Sequence, residues 1–238
     1  MTTLSTGAGN DRIDVGNSLG RLNGIAGNLR IDSGSGRDLL NLTASGASSE
    51  GVRGVVGGAP RAGYTDDVSG FELAEDINFV GVEAATLTLG TGPDSPRVAS
   101  VSTSLALSVI TGAGNDSVTV GNSSTGVAGI QGIVDVNGGA GSDSLVMDDA
   151  AGHSTTKTGT LNDRTIIGFG MGDLNEGVRF ESLEAVSLTL GTNPAVSDSP
   201  SDYVVELHSI ETPTNIQLGS GTDLVRVGPD LIRIKADL

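Results

Sequence analysis

Six short segments share the pattern Gly-x-Gly-x-Asp, whose residue types suit the coordination of a hard cation. Ca²⁺ accepts about six to eight oxygen ligands in flexible geometry, and carbonyl and carboxylate oxygens are the ligands that it prefers. Glycine adopts left-handed backbone angles, which allow the carbonyls of a tight turn to converge. The motifs contain Gly7, Gly9 and Asp11; Gly34, Gly36 and Asp38; Gly90, Gly92 and Asp94; Gly112, Gly114 and Asp116; Gly139, Gly141 and Asp143; and Gly219, Gly221 and Asp223.

The motifs belong to a long internal repeat. LSTGAGNDRIDVGN (4–17) aligns without a gap on VITGAGNDSVTVGN (109–122). INFVGVEAATLTLG (77–90) aligns on VRFESLEAVSLTLG (178–191), and a third copy begins at NIQLGSGTDLVRVG (215–228). Internal repetition at this scale is typical of proteins built by stacking one structural unit.

These alignments define the organisation of the chain. We treat residues 1–238 as a single domain, with long repeats at approximately 1–105 and 106–212 and a partial third at 213–238. The repeat also predicts a seventh site near Asp202, where the glycines are replaced by the sequence NPAVSDSPSD.

Apolar residues flank each motif at fixed distances from its aspartate. Those at two and four residues after the aspartate alternate with polar residues, which indicates a strand with one buried face. We expect two buried sets, each residue stacked on its counterpart in the next coil. The set before the turn is Leu4, Ile31, Val109, Val136 and Ile216, and the set after it is Ile13, Leu40, Val118, Leu145 and Val225.

The spacing of the aspartates gives the size of the repeating unit. From Asp11 to Asp143, successive motif aspartates lie 27, 56, 22 and 27 residues apart, and we interpret 56 as two units, one of which lacks the motif. A unit of this size buries its apolar face only by stacking. The pattern predicts an all-β fold, a right-handed parallel β-solenoid of about 22–28 residues per coil, with the motif on one side. A β-sandwich with similar hairpins is the alternative.

Stacked turns bring aspartates close together. Adjacent strands lie about 4.8 Å apart, and two carboxylates at about 5 Å repel by roughly 3 kcal/mol at an effective dielectric constant of about 20. We therefore expect Ca²⁺ between neighbouring aspartates. The expected pairs are Asp11 with Asp38, Asp94 with Asp116, Asp116 with Asp143, and Asp202 with Asp223. The alternative is an Asx-type turn, in which the aspartate accepts a backbone N–H and no metal is bound.

One motif resembles a known calcium-binding repeat. GGAGSDSLV (138–146) matches in full the nonapeptide G-G-x-G-x-D-x-U-x, in which U is a large apolar residue, of RTX proteins. The resemblance implies that carbonyls and aspartates of adjacent coils hold Ca²⁺, and that the protein is secreted and folds outside the cell. RTX arrays repeat the nonapeptide back to back, whereas this chain has one motif per 22–28 residues. That arrangement resembles the long Gly/Asp-rich repeats of giant bacterial surface proteins.

The composition and net charge of the chain argue against several classes of binding partner. The 238 residues include 37 Gly and no Cys, and the formal net charge of −16 argues against binding nucleic acid or an anionic membrane surface. No apolar run is long enough to insert into a bilayer. No signal peptide follows Met1, so we expect either export without an N-terminal signal or a piece of a longer chain.

These observations predict a structural, calcium-binding repeat segment, a rigid spacer or fibre-forming unit of an extracellular or cell-surface protein. Its expected partners are flanking repeats of a longer chain, or further copies bound head to tail. A non-catalytic RTX-like module of a secreted enzyme or toxin is the first alternative, and a polysaccharide-active β-helix enzyme is a remote one. We expect no enzymatic activity, because the eleven Arg and two Lys form no repeated cluster.

Overall fold

The computed structural model describes residues 1–46, 49–151, 155–172, 177–191 and 202–228. Over these ranges the chain is all-β and contains no helix, which confirms the predicted class. Two sheets of ten strands each form the fold, and a third sheet pairs only two short strands. In the described part of the chain, no helix has the length and apolar character needed to cross a membrane.

In each large sheet the strands lie side by side in the following spatial order. The first sheet contains β1 (Thr2–Ser5), β3 (Leu29–Asp32), β7 (Ile77–Val80), β6 (Asp66–Gly70), β5 (Arg53–Val56), β9 (Ser95–Val98), β12 (Ser117–Gly121), β15 (Ser144–Asp149), β19 (Ala185–Leu190) and β21 (Thr214–Gln217). The second sheet contains β2 (Arg12–Val15), β4 (Leu39–Thr43), β8 (Ala84–Thr88), β10 (Ala106–Ile110), β13 (Ile133–Asn137), β18 (Gly177–Glu181), β17 (Thr165–Gly168), β16 (Lys157–Leu161), β20 (Tyr203–Leu207) and β22 (Leu224–Val227). The small sheet joins β11 (Ala113–Gly114) to β14 (Ala140–Gly141).

Both large sheets are predominantly parallel. The exceptions are β6 in the first sheet and β17 in the second, each of which is antiparallel to both of its neighbours. The chain otherwise alternates between the sheets, so equivalent strands stack in register. Leu4 lies opposite Ile31, and Val118 lies opposite Leu145. The apolar faces of the two sheets therefore enclose one continuous core.

The predicted burial is confirmed in the interior of the sheets and is wrong at the ends. The buried members of the two predicted sets are Ile31, Val109, Val136, Ile13, Leu40, Val118 and Leu145. Leu4 is 38% exposed and Val225 is 39% exposed. Each of these lies in the outermost described strand of its sheet, where no further strand covers it. Ile216 lies in β21, the outermost described strand of the first sheet at the same end as Val225, and is partly buried.

An antiparallel excursion interrupts each long repeat. In the first, β5, β6 and β7 form a three-stranded meander within the first sheet. In the second, β16, β17 and β18 form its counterpart within the second sheet. Phe71 and Phe169 are buried at equivalent points, each packed against a strand glycine whose missing side chain leaves room for the ring. These excursions occupy the part of each long repeat that lacks the Gly-Asp motif.

The two long repeats distribute their strands between the two sheets in opposite ways. Of the strands in the large sheets, the first repeat places six in the first sheet and three in the second, and the second repeat reverses these numbers. Each repeat therefore contributes an odd number of strands, so the next repeat starts in the other sheet. Alignment of the repeats gave no sign of this exchange, because the two sheets have the same inward apolar pattern.

Candidate metal centre in the Gly-Asp turns

The motif turns stack so closely that the glycines of a turn packed on a preceding turn have no room for a side chain, whereas Gly7 and Gly9 of the first motif have open space. A Cβ atom added to Gly34 or Gly36 would lie far inside van der Waals distance of the carbonyl oxygen of Gly7 or Gly9, one turn away. Positive φ angles add a second requirement for glycine. They occur at Gly7, Gly9, Gly34, Gly36, Gly112, Gly114, Gly139, Gly141 and Gly221, but not at Gly90, Gly92 or Gly219.

The aspartates form a ladder of hydrogen bonds between adjacent turns. The backbone N–H of Asp11 donates to Oδ1 of Asp38 at 2.7 Å. The N–H of Asp94 donates to Asp116 at 2.7 Å, and that of Asp116 donates to Asp143 at 2.8 Å. Each carboxylate therefore binds the amide of the preceding motif aspartate, rather than an amide of its own turn as in a simple Asx turn.

Two glutamates continue the ladder where the motif is missing. The N–H of Asp38 donates to Oε2 of Glu83 at 2.8 Å, and the N–H of Asp143 donates to Oε2 of Glu184 at 2.6 Å. Neither glutamate was predicted from the sequence. The alignment of INFVGVEAATLTLG with VRFESLEAVSLTLG contained the signal, because it places Glu83 on Glu184 two residues before an apolar-x-apolar strand. The longer glutamate side chain spans the shorter turn.

An asparagine ladder lies beside the carboxylates. Oδ1 of Asn10 accepts the N–H of Arg37 at 2.9 Å, and Oδ1 of Asn115 accepts the N–H of Ser142 at 3.0 Å. Thr111 donates its hydroxyl to the carbonyl of Gly138 at 2.7 Å. The identical TGAGND segments at 6–11 and 111–116 therefore have a structural basis, because their threonine, glycines, asparagine and aspartate all contact the next turn.

The remaining motif aspartates lie at the ends of these ladders or apart from them. Oδ1 of Asp94 accepts the N–H of Val52 at 2.7 Å. Asp202 and Asp223 are in neighbouring turns, but the donor to Asp223 is the N–H of Tyr203 at 3.2 Å, one residue displaced from the pattern. Residues 193–201 of the NPAVSDSPSD segment lie outside the described residues.

The motif turns lie on both sides of the sheets, and the prediction of a single side is wrong. The turns with Asp11, Asp38, Asp202 and Asp223 lead from the first sheet to the second. Those with Asp94, Asp116 and Asp143 lead from the second sheet to the first. Since neighbouring strands run parallel, these two kinds of turn are at opposite strand ends. The cause is the odd number of strands per long repeat, which moves the motif across the molecule.

Several of these carboxylates have a buried oxygen without a hydrogen-bond partner. Asp38 is 1% exposed, and Asp116 and Asp143 are each 2% exposed. Within the described residues, Oδ2 has no partner in Asp11, Asp38, Asp116 and Asp143. A buried charge without compensation is costly, so such an oxygen requires a cation, a proton or a water molecule. The orphaned oxygens and the acidic ladder fit a cation.

The carbonyls of the turns offer further oxygen ligands. The Gly7 carbonyl accepts the N–H of Ser35 at 3.0 Å, and the Gly112 carbonyl accepts the N–H of Ala140 at 2.9 Å. Each carbonyl has a second lone pair free to accept another ligand. No point in the described ranges brings three carboxylate or imidazole side chains together. A cation here would therefore combine one or two carboxylates with backbone carbonyls and water.

Burial shifts the pKa of two ladder aspartates upward. Loss of hydration on burial raises the pKa of Asp94, while hydrogen bonds from the Val52 and Gly90 amides oppose the shift. The same loss of hydration raises the pKa of Asp143, opposed by the Asp116 amide and reinforced by the charges of Asp116 and Glu184. Without a cation, the folded state therefore favours the protonated forms of both groups.

Because of these raised pKa values, we predict that the metal-free protein becomes less stable as the pH rises. The folded state binds more protons than the unfolded state between the ordinary aspartate pKa of 3.8 and the raised values. The free energy of unfolding in chelator should therefore fall as pH rises through that window. Urea titrations from pH 3.5 to 7 measure it.

Two variants separate this effect from the general repulsion of an acidic chain. Asp94→Asn combined with Asp143→Asn should flatten the decline. Asp14→Asn should not flatten it, because hydrogen bonds from Asn41 and Arg12 lower the pKa of the exposed Asp14. An unchanged slope in the double variant would contradict the assignment of the raised pKa values to the ladder.

No family model, curated protein or solved structure matches this chain. The resemblance of GGAGSDSLV to the RTX nonapeptide therefore rests on the residues of that motif. A function is best inferred from the geometry of the turns.

Proposed function

We propose that the chain is a right-handed parallel β-solenoid that forms a rigid, Ca²⁺-stiffened segment of an extracellular or cell-surface protein, without enzymatic activity. Alternation of the chain between two mostly parallel sheets supports the solenoid. The observation that carries the calcium proposal is the set of buried Oδ2 atoms without partners in the ladder.

The ladder gives the cation a specific structural role. Oδ1 of each aspartate already joins two turns through a backbone amide. A Ca²⁺ ion on Oδ2 would compensate the remaining charge at the same junction and so oppose the separation of adjacent turns. Stiffness would then depend on calcium, as suits a spacer that becomes rigid where Ca²⁺ is plentiful.

The ends of the sheets support stacking of further units. Leu4, Leu224 and Val227 are exposed on outermost strands. Asp11 lies in the outermost described turn, where no preceding turn supplies the N–H that Oδ1 of Asp116 or Asp143 accepts. We propose that flanking repeats of a longer chain, or further copies placed head to tail, satisfy these groups.

Calcium should stabilise the wild-type protein. A ligand that binds only the folded state stabilises it by mass action, so millimolar Ca²⁺ should raise the melting temperature and chelator should lower it. Mg²⁺ should have a smaller effect, because it requires a tighter octahedral shell. Differential scanning calorimetry measures the melting temperatures, and isothermal titration calorimetry measures the binding of each ion.

Asp116→Asn tests the aspartate that contacts both neighbouring turns, those of Asp94 and Asp143. Asparagine keeps an oxygen for the Asp94 amide but removes the charge, so Ca²⁺ affinity and stability in Ca²⁺ should fall. Asp32→Asn removes one charge from an exposed strand position and is the matched control. If Asp116→Asn instead stabilises the protein and neither protein responds to Ca²⁺ or chelator, the turns hold no metal.

A further inference from the structure

A groove of about 410 Å³ lies on the outer face of the second sheet, beside the strand ends that lead into the turns with Asp116 and Asp143. Strands β10, β13 and β18 form its floor, and the short connection from β16 to β17 forms one wall. Its main polar and apolar lining residues are Ser108, Ile110, Asp135, Asn137, Arg164 and Arg179. The proposed structural role makes no use of this surface.

The first long repeat contains the same surface, but a loop of the chain covers it. Nine residues (57–65) connect β5 to β6, whereas three (162–164) connect β16 to β17. The alignment places Asn78 on Arg179. Asn78 is fully buried, whereas the side chain of Arg179 is 53% exposed. The groove in the second repeat is therefore the position that a peptide segment occupies in the first.

The covering loop shows how this surface holds a peptide. The N–H of Arg61 donates to Oδ1 of Asn78 at 2.8 Å, so one contact is a backbone amide bound by an outward-facing strand residue. The ring of Tyr64 lies 5.8 Å from the guanidinium carbon of Arg30, a cation–π contact. Backbone bonding plus one or two side-chain anchors is a common mode of peptide recognition.

The open groove has a different charge from its covered counterpart. Arg179 replaces Asn78, and Asp135 replaces Arg30. Arg179 is 3.8 Å from Asp135, a loose ion pair on a partly exposed surface. Within the described ranges, the guanidinium of Arg164 makes no hydrogen bond or ion pair. Glu181 also lines the groove, and its Oε1 accepts a hydrogen bond from the side-chain amide of Asn137 at 2.6 Å. The groove thus combines two carboxylates with two guanidinium groups, and Arg164 is the guanidinium that a carboxylate of a ligand can pair with first.

We propose that this groove binds an extended peptide segment of a partner protein through an acidic side chain that pairs with Arg164 and Arg179. The guanidinium fork matches a carboxylate in two parallel hydrogen bonds. Ile110 offers an apolar contact for a neighbouring side chain of the peptide. The partner's segment would replace, from outside, the cover that residues 57–65 provide in the first repeat.

Selection from a phage-displayed library of random linear dodecamer peptides against the whole chain tests the proposal. Enriched peptides should share an Asp or Glu. Arg164→Glu combined with Arg179→Glu should weaken their binding at least about tenfold, as expected when the charge partners of a carboxylate are reversed. Arg12→Glu makes one such charge reversal on the outer face of the same sheet, far from the groove, and should leave binding unchanged.

A second variant covers the site and leaves Arg179 in place. Replacing residues 162–164 with the nine-residue segment 57–65 should cover the groove and abolish peptide binding, while the thermal unfolding transition remains cooperative. The proposal is overturned if no peptide is enriched, if the enriched peptides lack an acidic residue, or if the double variant or the loop variant still binds them. Binding of acidic oligosaccharides from a glycan array, with no peptide enrichment, would also overturn it.

Discussion

Gly141→Ala should destabilise the protein by more than about 4 kcal/mol, a loss that few single substitutions produce. A Cβ atom at this position would overlap the carbonyl oxygen of Gly114 in the adjacent turn. The backbone of Gly141 also has a φ of 146°, which side-chain-bearing residues rarely adopt. Moving the turns apart would break the amide–carboxylate bond between Asp116 and Asp143. Urea unfolding in the presence of Ca²⁺ measures the loss.

Gly9→Ala is the matched control, because Gly9 holds the same position in the first motif. Its φ is 126°, but nothing lies within 4 Å of a Cβ atom added there. The substitution should therefore cost only the backbone strain, about 1–3 kcal/mol. Equal losses in the two variants would show that backbone strain, and not the close stacking of turns, explains the glycines.

Lys157→Met should cost about 3–5 kcal/mol, the usual effect of removing one partner of a buried ion pair. Nζ of Lys157 lies 2.7 Å from Oδ1 of Asp149, and both side chains are largely buried. Tyr203 donates its hydroxyl to the same carboxylate at 2.8 Å. Burial, followed by the Asp149 charge, raises the pKa of Tyr203, so its proton stays in place at neutral pH. Thermal unfolding of the variant measures the loss.

The first long repeat supplies the control for this pair. At the equivalent positions it has Ala44 and Val52, both buried. Asp149→Ala added to Lys157→Met should therefore recover much of the lost stability, because no unpaired charge remains in the core. A double variant less stable than Lys157→Met alone would mean that Asp149 stabilises the fold mainly through Tyr203 and the backbone amide of Val127.

Local features of the fold followed from the sequence because they depend on short-range periodicity. The strands around Ile31, Leu40, Val118 and Val136 were predicted from apolar spacing, and their burial is confirmed. The pairing of neighbouring motif turns was also predictable, since equal spacing places Asp11 beside Asp38. Each inference required only that equivalent segments stack.

The global path of the chain was not predictable in the same way. Nothing in the segment from Arg53 to Gly70 distinguishes an antiparallel excursion from one more coil, because both are strands with an inward apolar face. The number of strands per repeat is odd with or without the two extra strands of the excursion, and this odd number places the motifs on both sides. Glu83 and Glu184 were not predicted, because glutamate is absent from the Gly-Asp motif. Their place in the ladder follows only from the hydrogen bonds that they accept.

The exchange of sheets between long repeats has a consequence for any longer array. Two repeats add nine strands to each sheet, and at about 4.8 Å per strand this is an advance of roughly 43 Å. One repeat exchanges the roles of the two sheets, which corresponds to a rotation of half a revolution about the long axis. Two repeats are therefore needed to restore the starting arrangement. The array would thus have the symmetry of a two-fold screw, and equivalent surface features would alternate between its opposite flanks. A filament of this kind displays any attached group on both flanks at a regular axial interval.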